Sequence, residues 1–191
     1  NPLTPIKLTI DQIKNKYSKQ ITNEDQDSFK ENLKIINSQI KQIENLVNEF
    51  SDFARMPKPT LKKNNLIKIL KDNIGLLTEI ARDIEIDLVK KEDEILLECD
   101  KEQLARVFFN LIKNSIESIE QKVEKNPNFK KKILIEILQN NGHIKFLLID
   151  NGIGFEQVKG KIKDILNPYF TTKKNGTGLG LSIVNKIVND H

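Results

Sequence analysis

Two heptad seams separated by a short break govern the start of this 191-residue chain. Leu3, Ile6, Ile10, Ile13 and Tyr17 recur at alternating spacings of three and four, and so do Phe29, Leu33, Ile36, Ile40, Ile43, Val47, Phe50 and Ala54. That period lines one stripe of an α-helix with apolar side chains, whereas a strand would need alternation by two. The break holds Lys19, Gln20, Ile21, Thr22 and Asn23, of which Thr22 or Asn23 can cap a second helix with an acidic first turn at Glu24, Asp25 and Asp27. A helical hairpin follows. Two helices cannot enclose both seams, and Ile35, Leu46 and Phe53 widen the second stripe, so a second copy completing a four-helix bundle is the economical way to bury them. The expectation is a homodimer through residues 1–55; the alternative is one hairpin folded against the rest of its own chain.

Met56-Pro57-Lys58-Pro59 ends the second helix, because each proline lacks an amide donor and pushes its predecessor out of the helical region. Residues 56–59 therefore read as a linker and 60–191 as a second domain. There Leu66 to Ile80 is helix-periodic, Ile84 to Val89 and Ile95 to Glu98 read as strands, and Asp100 caps a long helix. Its expected buried stripe is Leu104, Val107, Phe108, Leu111, Ile112, Ser115 and Ile119. The polar run Glu120 to Lys132 reads as a loop. Ile133, Ile135, Ile137 and then Ile144, Phe146, Leu148 form a hairpin about Asn140-Asn141-Gly142. The fold class is α+β, and 38% hydrophobic content is enough for real cores.

Composition removes several functions. Cys99 is the sole cysteine, which excludes an internal disulfide and any multi-cysteine metal framework. The net charge of +4 is spread as 9 basic against 8 acidic residues up to Pro59 and 22 against 19 after it, so no basic face is concentrated and nucleic acid is not an expected partner. No apolar run approaches the ~18 residues of a membrane span.

What remains is a nucleotide site. The apolar run Ile144 to Ile149 delivers one carboxylate, Asp150, to a strand end, and Gly152 and Gly154 let the backbone turn away. A lone carboxylate there suits an adenine amino group. Further on, Gly176, Gly178 and Gly180 alternate just before the helix-periodic Leu179, Leu181, Ile183, Val184, Ile187 and Val188, so bare backbone N–H groups meet a helix start. That geometry holds phosphate. On the long helix, Asn110 and Asn114 lie one turn apart on a common face, and an amide oxygen beside a phosphate site is a good neutral ligand for Mg²⁺. Either glycine stretch alone is a weak motif, and Asp-Asn-Gly is most often a surface turn; the combination is specific.

Asp150-Asn151-Gly152-Ile153-Gly154-Phe155 resembles the G1 box, Pro168 to Lys173 the F box, Gly176 to Val184 the G2 box and Gln103 to Ser118 the N box of the sensor histidine kinase ATP-binding domain, a branch of the GHKL ATPase superfamily. The resemblance implies an α/β sandwich ATP-binding domain preceded by a dimeric four-helix bundle. It implies that Asn114 ligates Mg²⁺, that Asn110 partners it toward the phosphates, that Asp150 reads adenine, and that Gly152 and Gly154 lie beneath the base. Lys173, with Thr172 and Thr177, would meet the β- and γ-phosphates of ATP, with Gly176, Gly178, Leu179 and Gly180 forming the hinged, donor-rich lid end. The hairpin resembles the family's dimerisation and phosphotransfer domain, whose first helix carries His-Glu-x-x-Asn-Pro-Leu: Asn1-Pro2-Leu3 matches the tail of that motif, and Val47 to Pro59 is similar to nitrogen-regulation sensor kinases of the NtrY type. The phosphoacceptor histidine would lie just upstream of Asn1, and further strands beyond His191, so the chain is expected to be a fragment of a longer protein.

The implied activity is transfer of the γ-phosphate of ATP to a histidine on the bundle and then to an aspartate of a response-regulator receiver domain, with Asn1 as a candidate for dephosphorylating that regulator. The implied setting is the cytoplasmic part of a protein held in the bacterial inner membrane by upstream segments. Two alternatives stand beside it. An ATP-hydrolysing clamp of the same superfamily places a glutamate base one turn before the magnesium asparagine, where this chain has Asn110, an amide that cannot take a proton from water. A nucleotide-binding dimer without transfer activity is the other.

Overall fold

The computed structural model describes residues 3–124, 126, 128–140, 142–155, 162–173 and 176–191, and the chain divides into two compact units, 1–56 and 57–191. In the first, helices α1 (Thr4–Tyr17) and α2 (Asn23–Ala54) are joined by a tight turn in which the amides of Gln20 and Ile21 both donate to Tyr17 O. Pro5 sits in the first turn of α1, where its missing donor costs nothing. Thr22 occupies the N-cap position of α2, yet its hydroxyl donates to the Asp25 carboxylate rather than accepting from the helix backbone. The helices run antiparallel: Lys7 pairs with Glu44, Gln26 donates to Ser18 O, and Ile10 packs with Leu33 and Ile40. Among the described residues of this unit only those three apolar side chains are buried, with Leu3 and Phe29 partly covering them; Ile6, Ile13, Ile36, Ile43, Val47 and Phe50 are exposed.

The second unit is an α/β layer structure. Strand β1 (Lys62–Asn65) pairs antiparallel with β3 (Leu96–Cys99), while β2 (Glu85–Lys90), β4 (Lys132–Asn140) and β5 (His143–Asp150) form a sheet in the order β2-β4-β5, parallel then antiparallel. Helices α3 (Leu66–Ile80), α4 (Lys101–Val123) and α5 (Gly180–Asp190) complete it, α4 packing on α3, α5 and β5. Along β4 the residues Ile133, Ile135 and Ile137 are fully buried and alternate with half-buried neighbours, the period-two pattern of a sheet with one covered face. Ile112, Ile116 and Ile119 of α4 are buried as well, and Phe108 of α4 stacks obliquely on Phe146 of β5 with centroids 5.1 Å apart.

Two boundaries differ from the sequence reading. The polar run after Glu120 is not all loop, because α4 continues to Val123 and Lys132 already belongs to β4. Lys122 explains the extension: its ammonium reaches Asn151 O at 2.8 Å and Gly152 O at 3.1 Å and lies 4.4 Å from the Phe129 ring centroid, so the last turn of α4 is tied to its surroundings despite its polarity. In the stripe of α4, Leu111 is half-buried and Ile116 takes its place. β1 has no counterpart in the sequence reading. Its Lys-Lys-Asn-Asn sequence carries no apolar alternation, and it forms because β3 supplies a backbone partner and Asn64 Nδ2 donates to Cys99 O at 2.9 Å.

Candidate functional site

The site is assembled along α4. Asp100 starts that helix by accepting from the amides of Glu102 and Gln103 at 3.0 and 3.1 Å, while its second carboxylate oxygen accepts from Thr60 N at 2.9 Å and so ties the linker end to the helix start. The Thr60 bond is the main reason the Asp100 carboxyl lies below the usual carboxylate range; burial opposes it, and the two capping amides add to it.

Asp150 ends β5 beside the last third of α4. Its carboxylate accepts from Gly152 N at 2.9 Å, Ser115 Oγ at 3.2 Å and Ser118 Oγ at 3.3 Å, three donors that hold it in one orientation while leaving acceptor capacity for a ligand. Asn151 fixes the same turn from the other side: its side chain accepts from Lys132 N at 3.0 Å and donates to Lys130 O at 2.8 Å. Gly152 is pressed onto α4, where a Cβ would stand 2.2 Å from Ser118 Oγ, 2.6 Å from the Ser118 carbonyl carbon and 2.8 Å from Ile119 N. Only glycine fits. Gly154, by contrast, has open space around it and needs glycine for its φ of 66°.

Two turns nearer the start of α4 lies the other end of the site. Asn110 donates to Arg106 O at 2.9 Å, which turns its Oδ1 toward the first residue of α5: a Cβ on Gly180 would lie 3.4 Å from Asn110 Oδ1 and 3.8 Å from Asn114 Nδ2. Among the described residues no side chain caps the α5 N-terminus, and such a helix end suits an anion. Leu179 is fully buried and anchors that end. Gly178 turns at φ 70° against Tyr169, whose amide donates to Gly178 O at 3.0 Å, and Tyr169 is itself at φ 68°. The Lys173 ammonium reaches α4, donating to Asn114 Oδ1 at 2.8 Å and pairing with the Glu117 carboxylate.

The structure thus brings Asp150, Gly152, Asn110, Asn114, Lys173 and Gly180 onto successive turns of one helix, over 30 residues or more of intervening sequence in several cases. Gly176 is not a free donor, its amide being used by Lys173 O, and Thr177 Oγ1 accepts from Leu179 N at 3.4 Å. Thr172 is exposed. Asn1 lies outside the described residues. Sequence reasoning misses Ser118, Glu117 and Lys122, and reads Ser115 only as part of the buried stripe. The available signal is polar residues at spacings of three and four on a face ending beneath a strand. An Mg²⁺ ion would find a neutral oxygen ligand in Asn114 Oδ1, the atom that accepts from the Lys173 ammonium in this structure.

Residues 99–191 match the family model described as "Histidine kinase-, DNA gyrase B-, and HSP90-like ATPase", and residues 1–59 match "His Kinase A (phospho-acceptor) domain". Over its whole length the chain is 32% identical to the nitrogen regulation protein NtrY of Azorhizobium caulinodans, of which it covers 24%, and 33% identical to a putative NtrY-like sensor histidine kinase of Rickettsia felis, of which it covers 30%. It therefore spans less than a third of the length of these relatives. The catalytic domain of histidine kinase ThkA superposes with a TM-score of 0.57 at 28% identity, covering 69% of this chain and 81% of that one. Matching a phospho-acceptor domain model and then an ATPase domain model of this type, and similar over its own whole length to a part of NtrY proteins, the chain belongs to the sensor histidine kinases.

Proposed function

We propose that this chain is the ATP-dependent phosphotransfer core of a two-component sensor kinase, taking the γ-phosphate of ATP to a bundle histidine and on to a response-regulator aspartate. The observation that carries it is the placement, on one helix, of a strand-end carboxylate at one end and paired asparagines facing an uncapped helix N-terminus at the other. Asp150, oriented by Ser115, Ser118 and Gly152 N, accepts from the adenine amino group; Gly152 and Gly154 keep side chains out from under the base. Asn114 holds Mg²⁺, which when bound offsets triphosphate charge. Asn110, the α5 amides, Thr172, Thr177 and Lys173 orient phosphate oxygens, and positioning of this kind is most of what a protein contributes to phosphoryl transfer. Asn110 is an amide with no proton affinity to activate water, so transfer is favoured over hydrolysis; one of its two amide hydrogens goes to Arg106 O and the other serves a phosphate oxygen.

The exposed heptad residues Ile6, Ile13, Ile36, Ile43, Val47 and Phe50 support a homodimer through residues 1–55. A receiver domain is the proposed acceptor. Histidine kinase ThkA has been solved in complex with the response regulator protein TrrA, and the likeness to that structure, at 23% identity, is one of fold. Asp150→Asn tests the core of the proposal by calorimetry. It keeps an acceptor for Gly152 N but presents a donor to a donor, and losing a buried hydrogen bond to a charged group, about 1.5 to 3 kcal/mol, should weaken ATP binding at least about tenfold. Wild-type ATP affinity in this variant would remove adenine recognition from Asp150.

A further inference from the structure

At the phosphate end Lys173 forms an ion pair with Glu117 of α4, 56 residues earlier in the chain. Their side chains keep 31% and 33% exposure, so the pair is screened but not dissolved in water. Glu117 stands one turn past Asn114 on the same face of α4, and its other oxygen lies 3.9 Å from Lys113 Nζ. The Lys173 ammonium is therefore shared between the Glu117 carboxylate and Asn114 Oδ1. That amide oxygen is the one the proposed function gives to Mg²⁺. One oxygen cannot serve both, because two cations brought within a few ångströms of each other repel.

We propose that Glu117 is a positioning residue that parks Lys173 on the magnesium ligand, so that the site carries its own cation until Mg²⁺ and a triphosphate arrive together. The inference rests on the nucleotide site proposed above. Mg²⁺ alone must displace Lys173 with nothing to receive it; with a triphosphate present, the ammonium transfers from one anion to another, and Glu117 falls back on Lys113. Glu117 thereby sets how much Mg²⁺ the site needs without touching the nucleotide.

The test uses the whole chain, a non-hydrolysable ATP analogue and Mg²⁺ titrations followed by calorimetry. Glu117→Gln keeps the size of the side chain and removes the charge. It should lower the Mg²⁺ concentration for half-saturation by about two- to fivefold, the range of a partly exposed ion pair. In a Lys173→Met background the same change should do nothing further. Unfolding of the four nucleotide-free proteins, wild type, both single variants and the double, should show coupling between the two residues. An unchanged or raised Mg²⁺ requirement in Glu117→Gln, with normal analogue binding by the wild type, overturns the positioning role alone; a raised requirement would instead make Glu117 a carboxylate that serves the metal. A wild-type chain that binds no analogue sinks the nucleotide site and this role with it, whatever the coupling in the free protein.

Discussion

Gly152→Ala should uncouple the adenine end of the site from its supporting helix. The added methyl would stand 2.6 Å from the Ser118 carbonyl carbon and 2.8 Å from Ile119 N, both α4 backbone, so a rotamer change of Ser118 relieves only the 2.2 Å approach to its hydroxyl. The strand-end loop must lift. Lifting it stretches the Gly152 N bond to Asp150, the Ile153 N bond to Ser118 O at 3.2 Å and the Lys122 contacts to Asn151 O and Gly152 O. Overpacking of this kind costs about 1 to 3 kcal/mol, and one disrupted hydrogen bond about 1 kcal/mol more, so a total near 2 to 4 kcal/mol is expected. Thermal unfolding and calorimetry with ATP give the two readouts: a lower Tm and at least about a tenfold weaker Kd. Gly75→Ala is the control, because Gly75 lies in α3 with no atom within 4 Å of where its Cβ would stand, and that change should stabilise by up to about 1 kcal/mol. If Gly152→Ala melts and binds like wild type, the loop is not pressed on α4 and the shape of the adenine end has been misread.

Asp100 makes a pH-dependent contribution. Its carboxyl lies below the ordinary value of 3.8, so the stabilisation is present above that value and is lost as pH falls through the depressed one. Asp100→Asn keeps the helix cap but turns a donor toward Thr60 N, and should flatten the stability-against-pH curve below about pH 4 relative to wild type, as read by denaturant titration. A curve of unchanged slope would detach the linker end from α4. For the hairpin, light scattering should give about twice the 22.0 kDa chain mass, and Ile43→Asp with Phe50→Asp should reduce it to one chain, since burying each such side chain is worth about 1.5 to 3 kcal/mol. A wild-type monomer at micromolar concentration counts against the bundle.

The amino-acid sequence by itself determined the elements whose signal is local. The heptad spacing from Leu3 to Ala54, the prolines at 57 and 59, the Asp100 cap and the Gly-rich turns each act within a few residues, through period, dihedral restriction or capping. So α1, α2 and α3 are legible in the sequence, as are the strand delivering Asp150 and the glycines around it. Sequence could not show what depends on a distant partner. β1 has polar side chains and exists through its pairing with β3; the last turn of α4 persists because Lys122 finds carbonyls 29 and 30 residues away. Ser115 and Ser118 look like helix filler until β5 sets a carboxylate above them, and Glu117 looks like a solvated acid until Lys173 arrives from 56 residues downstream. Tertiary structure alone decides which polar groups meet, because a side chain's hydrogen-bond partner is fixed by packing of elements and not by its own helix or strand preference.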